Sequence, residues 1–294
     1  MTARRGSARV RVLIVGLFLS WTTGNALAQQ RVRFANSSGQ TIEAVYLAPP
    51  TSADTPVPAV IMLHGCAGLF TKSGKIRSRE RAWIDILQQQ GWALLLPDSF
   101  GSRGHGSLCK VKDRPVTPEK DRPLDALAAL AWLAMQPGID PARIALLGWS
   151  NGAMTGLHTV REGGAATPSA GMRDFKTAVL FYPGCIALKK SHPEYRPRIP
   201  VLIQHGELDD WTLAAPCRQL VETVNEDPAA PEMSIDIYPG SYHNFDHPNS
   251  KLKTITTRHS GYKTGERQVH TGTNPDAREK AIRRTLEWLL RQFS

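Results

Sequence analysis

The stretch "RIALLGWSNGAMTGL", residues 143–157, decides the fold of this chain. Its apolar run at 144–147 is typical of a buried strand, and the run stops at the sequence Gly-Trp-Ser-Asn-Gly. Small, helix-tolerant residues follow, so the pattern predicts a strand that turns sharply into a helix. A serine at the tip of that turn is pushed towards positive φ, a strained conformation that often marks functional sites.

Two glycines flank this serine at equal distances. Neighbouring backbone crowds the positions two before and two after the tip, so only small residues fit there, and Gly148 and Gly152 occupy them. The pattern is the nucleophile elbow, G-x-S-x-G, which lifts a serine hydroxyl clear of a sheet. It also points the first amides of the following helix at the same place, where the helix dipole favours negative charge. A purely structural glycine–serine turn is the alternative; the strand before and the helix after favour Ser150 as a nucleophile.

Apolar strands and helices alternate along the rest of the chain. Strands are predicted at 32–34, 41–47, 57–63, 92–96, 143–147, 175–182, 200–204 and 233–238. Helices are predicted at 78–90, 121–135, 151–160, about 215–224 and 276–293, the last with Ile282, Leu286, Leu289 and Leu290 on one side. This alternation predicts an α/β fold with a mostly parallel central sheet of about eight strands and helices on both faces. The sequence contains no internal repeat or linker, so we expect one domain over 29–294.

A serine nucleophile needs a base, and in the elbow arrangement the chain order is serine, acid, histidine. In open parallel sheets the chemistry lies beyond the carboxyl ends of the strands. His243 follows a strand and a turn in "SIDIYPGSYHNF", so we predict it as the base, with His247 as the second candidate. The remaining candidates are expected to be surface residues (His259 and His270) or to shape loops (His64 and His205).

The acid should follow the strand at 200–204, which continues into "HGELDDWT". Asp209 and Asp210 are adjacent, so their side chains point in different directions and only one can orient the base. We predict Asp209 as that acid. Asp210 is expected to cap the following helix or to face water.

An oxyanion hole is the fourth requirement, because acyl transfer places negative charge on the carbonyl oxygen. One donor should be the backbone amide of Asn151, the residue after the serine. The second should come from the loop after the strand at 57–63, which has the sequence "HGCAGL". The backbone amide of Cys66 is the candidate donor there.

Four motifs now agree in order and spacing: HGCAG at 64–68, GWSNG at 148–152, HGELDD at 205–210 and YPGSYHNF at 238–245. Together they resemble the dienelactone hydrolase family of the α/β-hydrolase fold. The resemblance implies a triad of Ser150, Asp209 and His243. The enzymes that give the family its name carry cysteine at the elbow, whereas serine-bearing relatives look like general esterases.

The resemblance therefore implies a small-molecule carboxylic ester as substrate, with a lactone as a possibility. The sequence has no large insertion before the acid, so no large lid domain is expected. A peptidase or thioesterase on the same triad remains an alternative, as does a non-catalytic binding protein of this fold. No cofactor is expected, and the histidines of "HNFDH" at 243–247 lack the H-E-x-x-H spacing of zinc hydrolases, so no metal is expected.

Residues 1–28 have the order of a secretory signal peptide: four arginines, an apolar run at 12–19 and the cleavage site Ala26-Leu27-Ala28. We expect export to the periplasm or the medium and no membrane span after cleavage. The leader carries four arginines and no acids, so the net charge of +10 becomes +6 on its removal. The sequence shows no clustered basic module for nucleic acid.

An even number of cysteines in an exported chain favours disulfides. Cys66 and Cys109 lie in loops after neighbouring strands, Cys185 follows another strand, and Cys217 begins the helix after the acid. We predict the pairs Cys66–Cys109 and Cys185–Cys217, with buried free thiols as the alternative.

Three further side chains are candidates for contact with the substrate. Trp149 and Trp211 lie beside the serine and the acid pair in sequence, and either could line an apolar pocket or serve packing alone. Arg103, in "SRGHG", could hold a substrate carboxylate or lie in solvent.

Overall fold

The computed structural model describes residues 29–50, 55–258 and 265–294 of the 294-residue chain. The predicted signal peptide at 1–28 and the predicted surface residue His259 lie outside these residues.

Eight strands of the described chain form the central sheet. They are β1 (Gln30–Ala35), β2 (Thr41–Leu47), β3 (Val57–Leu63), β4 (Ala93–Pro97), β5 (Ile139–Trp149), β6 (Thr177–Phe181), β7 (Val201–Gly206) and β8 (Met233–Tyr238). The spatial order is β1-β2-β4-β3-β5-β6-β7-β8. Strand β2 pairs antiparallel with β1 and β4, and the other pairs are parallel. The predicted α/β class and mostly parallel sheet are confirmed, and β1 and β2 form an antiparallel hairpin.

Helices cover both faces of this sheet. They are α1 (Ser78–Gln88), α2 (Asp121–Ala134), α3 (Asn151–Thr159), α4 (Cys185–Ser191), α5 (Ala214–Asn225) and α6 (Pro275–Phe293). Alternate residues of β3 enter two separate cores: Ile61 packs with α2 to α5, whereas Met62 packs with α1 and α6. Strands buried on both faces explain the uninterrupted apolar runs. No helix in the described ranges has the length and apolar character of a membrane span.

The buried side of helix α6 differs in one residue from the apolar side that the sequence predicts. Trp288 and Leu289 are fully buried, but Leu290 is 51% exposed. Successive helical residues are about 100° apart, so burying Trp288 and Leu289 turns Leu290 towards solvent. Asn274 begins the helix, and its side chain accepts a hydrogen bond from the amide of Ala277.

A second, two-stranded sheet follows the β8 loop. Strands β9 (Lys253–Thr257) and β10 (Arg267–Thr271) pair antiparallel, in a region where the sequence analysis predicts no strand. Thr271 pairs with His243, and the amide of Gly272 donates to the His243 carbonyl at 3.1 Å. Val269 packs with Cys66 and Trp211. The hairpin therefore lies against the loop that carries the predicted base.

The structure contains both predicted disulfides, Cys66–Cys109 and Cys185–Cys217. The first joins the loop after β3 to the loop after β4. The second joins the start of α4 to α5. Both lie near the carboxyl edge of the parallel strands, where the sequence predicts the active site.

Candidate active site

Ser150 lies at the sharp turn between β5 and α3. Its backbone has φ of 51° and ψ of −112°, outside the regions that side-chain-bearing residues favour. Its amide donates to the Phe181 carbonyl at 2.9 Å, and its carbonyl accepts from the Met154 amide at 2.8 Å. These two bonds hold the strained conformation that the elbow pattern predicted.

The structure gives the reason for both elbow glycines. A Cβ atom added to Gly152 would lie 2.1 Å from the carbonyl oxygen of Leu63 and 2.7 Å from that of His64. A Cβ added to Gly148 would lie 2.6 Å from the carbonyl oxygen of Gly152. The elbow thus packs backbone against backbone on the loop that follows β3.

His243 and Asp209 form a buried pair beyond the ends of β8 and β7. Nδ1 of His243 lies 2.7 Å from Oδ2 of Asp209, and the two residues are 3% and 2% exposed. The other carboxylate oxygen accepts the amides of Trp211 and Thr212, each at 2.9 Å. Burial by itself would raise the pKa of Asp209, but His243 and these hydrogen bonds outweigh it and lower the pKa. Asp209 therefore stays ionised and can fix the tautomer of the imidazole.

Asp210 turns away from this pair. Its Oδ2 lies 2.7 Å from Nδ1 of His270, and its Oδ1 accepts the His270 amide at 2.8 Å. Asp210 was expected to cap a helix or to face water, and instead it fastens β10 to the loop after β7. His270 is partly exposed, consistent with the surface position predicted for it.

Ser150 and His243 border one pocket of about 310 Å³, together with Cys66 and Trp211. The His243 ring lies 4.7 Å from the Trp211 ring and 4.4 Å from the Tyr182 ring, centroid to centroid. Among the described residues, no hydrogen bond joins Ser150 to His243. Such bonds are often long or misaligned in sites without substrate and tighten when substrate binds.

The two candidate oxyanion donors lie on the loops that meet at this elbow. Within the described ranges, neither the Cys66 amide nor the Asn151 amide donates a backbone hydrogen bond. Asn151 is the first residue of α3, where helix amides have no intrahelical acceptor. Both amides are thus free to donate to a substrate oxygen.

Of the three candidates for substrate contact, Trp211 lines the pocket, whereas Trp149 serves packing, the alternative left open for it, and Arg103 lies neither on the pocket nor free in solvent. Trp149 is fully buried, and its indole donates to Asp246 at 2.8 Å. The Arg103 guanidinium binds both carboxylate oxygens of Asp125, at 2.8 and 2.9 Å. A buried carboxylate that is distant in sequence binds each of these side chains away from the pocket.

A buried polar network behind the base was not predicted from the sequence. Asp246 accepts from the Tyr182 hydroxyl at 2.5 Å and from the indoles of Trp83 and Trp149. Arg79 connects this network to the loop that carries His243, because its guanidinium donates a hydrogen bond to the Asn244 side chain at 3.0 Å. Asp246 lies within "HNFDH", which the sequence analysis considers only as a metal pattern, and Arg79 looks like a solvated helix residue in the sequence.

His247, the second candidate for the base, also has a different partner. Its Nε2 lies 2.9 Å from the Ser78 hydroxyl at the start of α1. His64 and His205 are fully buried, and burial lowers the pKa of each. Of the candidate histidines in the described chain, His243 combines a carboxylate partner with a place beside Ser150.

The comparisons with known proteins agree with this geometry. The solved structure of the dienelactone hydrolase-like promiscuous phosphotriesterase P91, from metagenomic libraries, is similar with a TM-score of 0.63 and 18% identity, covering 91% of this chain and 99% of that one. The propionate-bound esterase Est2 of Thermogutta terrifontis has a TM-score of 0.61 and 16% identity, covering 90% and 94%. At these identities the likeness shows the fold.

The sequence comparisons give information beyond the fold. A 157-residue stretch is 29% identical to a non-reducing polyketide synthase of Emericella nidulans, covering 49% of this chain and 6% of the synthase. The chain spans only 6% and 30% of the length of two of the curated relatives that it matches. The model of the dienelactone hydrolase family matches residues 43–293, nearly all of the described chain. The chain belongs to the dienelactone hydrolase family and has the α/β-hydrolase fold.

Proposed function

We propose that this chain hydrolyses carboxylic esters through an acyl-enzyme on Ser150, with His243 as the base and Asp209 as the acid that orients it. One observation carries the proposal: a serine in a strained turn and the histidine of a buried His–Asp pair border the same pocket. Backbone strain often marks functional sites, and a base that a third group orients can activate a serine hydroxyl.

In the first step, His243 takes the proton of the Ser150 hydroxyl as the oxygen attacks the ester carbonyl. The carbonyl oxygen gains negative charge and accepts hydrogen bonds from the amides of Cys66 and Asn151. The ionised Asp209 stabilises the imidazolium that forms. The tetrahedral intermediate then breaks its bond to the alcohol oxygen, and His243 returns the proton to the departing alcohol.

In the second step, water enters where the alcohol left. His243 takes a proton from the water, whose oxygen attacks the acyl carbon, and the same two amides hold the new oxyanion. The bond to Ser150 breaks, the serine oxygen recovers the proton from His243, and the carboxylic acid leaves. The enzyme returns to its starting state with one water consumed.

The pocket favours a small acyl group. Its volume of about 310 Å³ is at the lower end of the range for ligand pockets, and Trp211 and Ile255 supply apolar wall. The similar esterase of Thermogutta terrifontis has been crystallised with propionate and with butyrate. Short-chain esters are therefore the substrates to test first, with small lactones beside them.

The test is a panel of p-nitrophenyl esters from acetate to palmitate, a five-membered lactone, a p-nitroanilide and a thioester. We expect turnover to be greatest for short esters. The Ser150→Ala variant should lose about 10³-fold or more in kcat while it keeps the wild-type circular dichroism spectrum. Wild-type rates in that variant would refute the triad, and faster turnover of the anilide or thioester would reassign the substrate class.

We also propose that residues 1–28 direct export and that residues 29–294 form the mature single-domain enzyme. The two disulfides favour an oxidising compartment. Sequencing the amino terminus of the protein recovered from the periplasm or medium should give Gln29. A mature protein that starts at Met1 would contradict this proposal.

A further inference from the structure

One fully buried arginine connects the two loops that carry the candidate oxyanion donors. Arg122 is the second residue of α2, and none of its surface is exposed. Its Nη1 donates to the side-chain oxygen of Asn151, and its Nη2 donates to the carbonyl oxygen of His64 at 2.8 Å. The first acceptor belongs to the residue after Ser150, and the second lies two residues before Cys66.

The surroundings of this guanidinium are unusual for a buried charge. Within the described chain it forms no direct ion pair, and Asp98 and Asp125 stabilise it from a longer distance. Asp125 is already bound by Arg103. Burial lowers the pKa of Arg122 to about 9, so the side chain still carries its proton at neutral pH. Buried charges without a close partner are costly, so packing alone is a poor reason to have an arginine here.

We propose that Arg122 is a positioning residue that holds the two halves of the oxyanion hole in register; this rests on the ester hydrolysis proposed above. By binding the His64 carbonyl, it fixes the peptide plane that leads into Gly65 and Cys66. By binding the Asn151 side chain, it anchors the first residue of α3. The two amides can then present one spacing to the oxyanion without rearranging during the reaction.

The contact between the loops supports this role. Gly152 touches the carbonyl oxygens of Leu63 and His64 so closely that a single Cβ atom would not fit. The distance between the two loops is thus set by backbone contact, and Arg122 fixes their orientation from the buried side. A small shift at either loop would move one amide relative to the other, and an oxyanion hole depends on that alignment.

The test compares Arg122→Met and Arg122→Lys with a matched control, Arg198→Met. Arg198 also joins loops through backbone carbonyls, those of Arg161 and Thr159, and binds Asp174, but it is not among the pocket-lining residues. Asn151→Ala is the fourth variant, because it removes one acceptor of Arg122 and keeps the backbone amide. The readouts are kcat and KM for p-nitrophenyl butyrate, the pH profile, the thermal midpoint, and inhibition by phenylboronic acid, which forms a tetrahedral adduct with an active serine.

We expect Arg122→Met to lower kcat by about 30- to 300-fold, within or just below the range for loss of one oxyanion donor. KM should change less than about threefold, since the ground-state ester does not need the aligned amides. The boronic acid should bind more weakly in step with the loss in kcat/KM, and the acid limb of the pH profile should not move. Arg122→Lys and Asn151→Ala should fall between this variant and the wild type, while Arg198→Met keeps kcat despite a lower thermal midpoint.

If Arg122→Met does not fold, Arg122→Lys and Asn151→Ala test the positioning role of Arg122 with the same readouts. Wild-type kcat in folded Arg122 variants, or a loss in kcat equal to that of Arg198→Met, would overturn the inference and leave the esterase proposal intact. A wild-type enzyme that hydrolyses no ester would overturn both. The two failures are therefore distinguishable.

Discussion

Nδ1 of His243 lies 2.7 Å from Oδ2 of Asp209, and Nδ1 of His270 lies 2.7 Å from Oδ2 of Asp210. Two adjacent acids therefore hold two different histidines in the same geometry. Only the first of these histidines borders the pocket with Ser150. The first pair is buried and the second is partly exposed. The fold therefore gives the adjacent residues Asp209 and Asp210 different surroundings.

Replacing the acids one at a time should expose this difference. Asp209→Asn should lower kcat by about 10³- to 10⁴-fold, because an amide favours the wrong imidazole tautomer and cannot stabilise its charge. Asp210→Asn is the matched control, and kcat for p-nitrophenyl butyrate should change less than fivefold. A larger loss in Asp210→Asn than in Asp209→Asn would assign the acid to the other residue.

The disulfide at Cys66 should support catalysis as well as stability. Each double serine variant, Cys66→Ser/Cys109→Ser and Cys185→Ser/Cys217→Ser, should lose about 2–4 kcal/mol of unfolding free energy in urea titrations. Only the first should also lower kcat, since Cys66 carries a candidate oxyanion amide. Equal kcat values in both variants would show that the oxyanion loop keeps its position without the bond.

Gly152 should tolerate no side chain. In Gly152→Ala the new Cβ would press on the carbonyl oxygens of Leu63 and His64, so we expect a loss of about 3 kcal/mol or more and a large fall in kcat. Gly106→Ala is the control, because a Cβ there meets no atom within 4 Å. Measured unfolding midpoints should separate the two variants, and similar midpoints would contradict the close approach.

Stability should fall in mild acid partly through His158. Burial, and then the charges of His192 and Arg161, lower its pKa from 6.5 to about 4. The unfolded chain binds this proton below pH 6.5 and the folded chain does not until about pH 4, so the contribution is complete above pH 6.5 and is lost as pH falls towards 4. The lost stability should approach ~1 kcal/mol per pH unit in this window.

Urea midpoints of the wild type and His158→Gln between pH 4 and 7 measure this contribution. The variant lacks the titrating ring, so its stability should depend less steeply on pH. Identical slopes for the two proteins would show that His158 binds its proton in both states alike.

Much of the fold could be predicted because its signals are local. The apolar run of β5, the small residues of α3 and the turn at Ser150 follow from short-range patterns and sterics. The disulfide pairs could also be predicted, since Cys66, Cys109 and Cys185 follow strands at the edge where the site had to lie and Cys217 lies in the helix after the acid. The hairpin β9–β10 was missed because each strand has a single apolar residue, Ile255 or Val269, so the sequence shows no alternation of apolar and polar residues.

Side-chain partners far apart in sequence could not be predicted. Arg103 binds Asp125 across 22 positions, and Arg122 reaches Asn151 across 29. In the sequence each arginine looks like a solvated charge, because arginine is seldom fully buried. Its true surroundings depend on how α2 packs against the carboxyl edge of the sheet, and no local pattern encodes that contact.

The most direct measurement is to treat the folded protein with a fluorophosphonate and locate the label by peptide mass mapping. We expect one equivalent of label on the peptide that contains Ser150, with no label in Ser150→Ala and much slower labelling in His243→Ala. Label on another residue, or none on a protein that hydrolyses esters, would contradict Ser150 as the nucleophile.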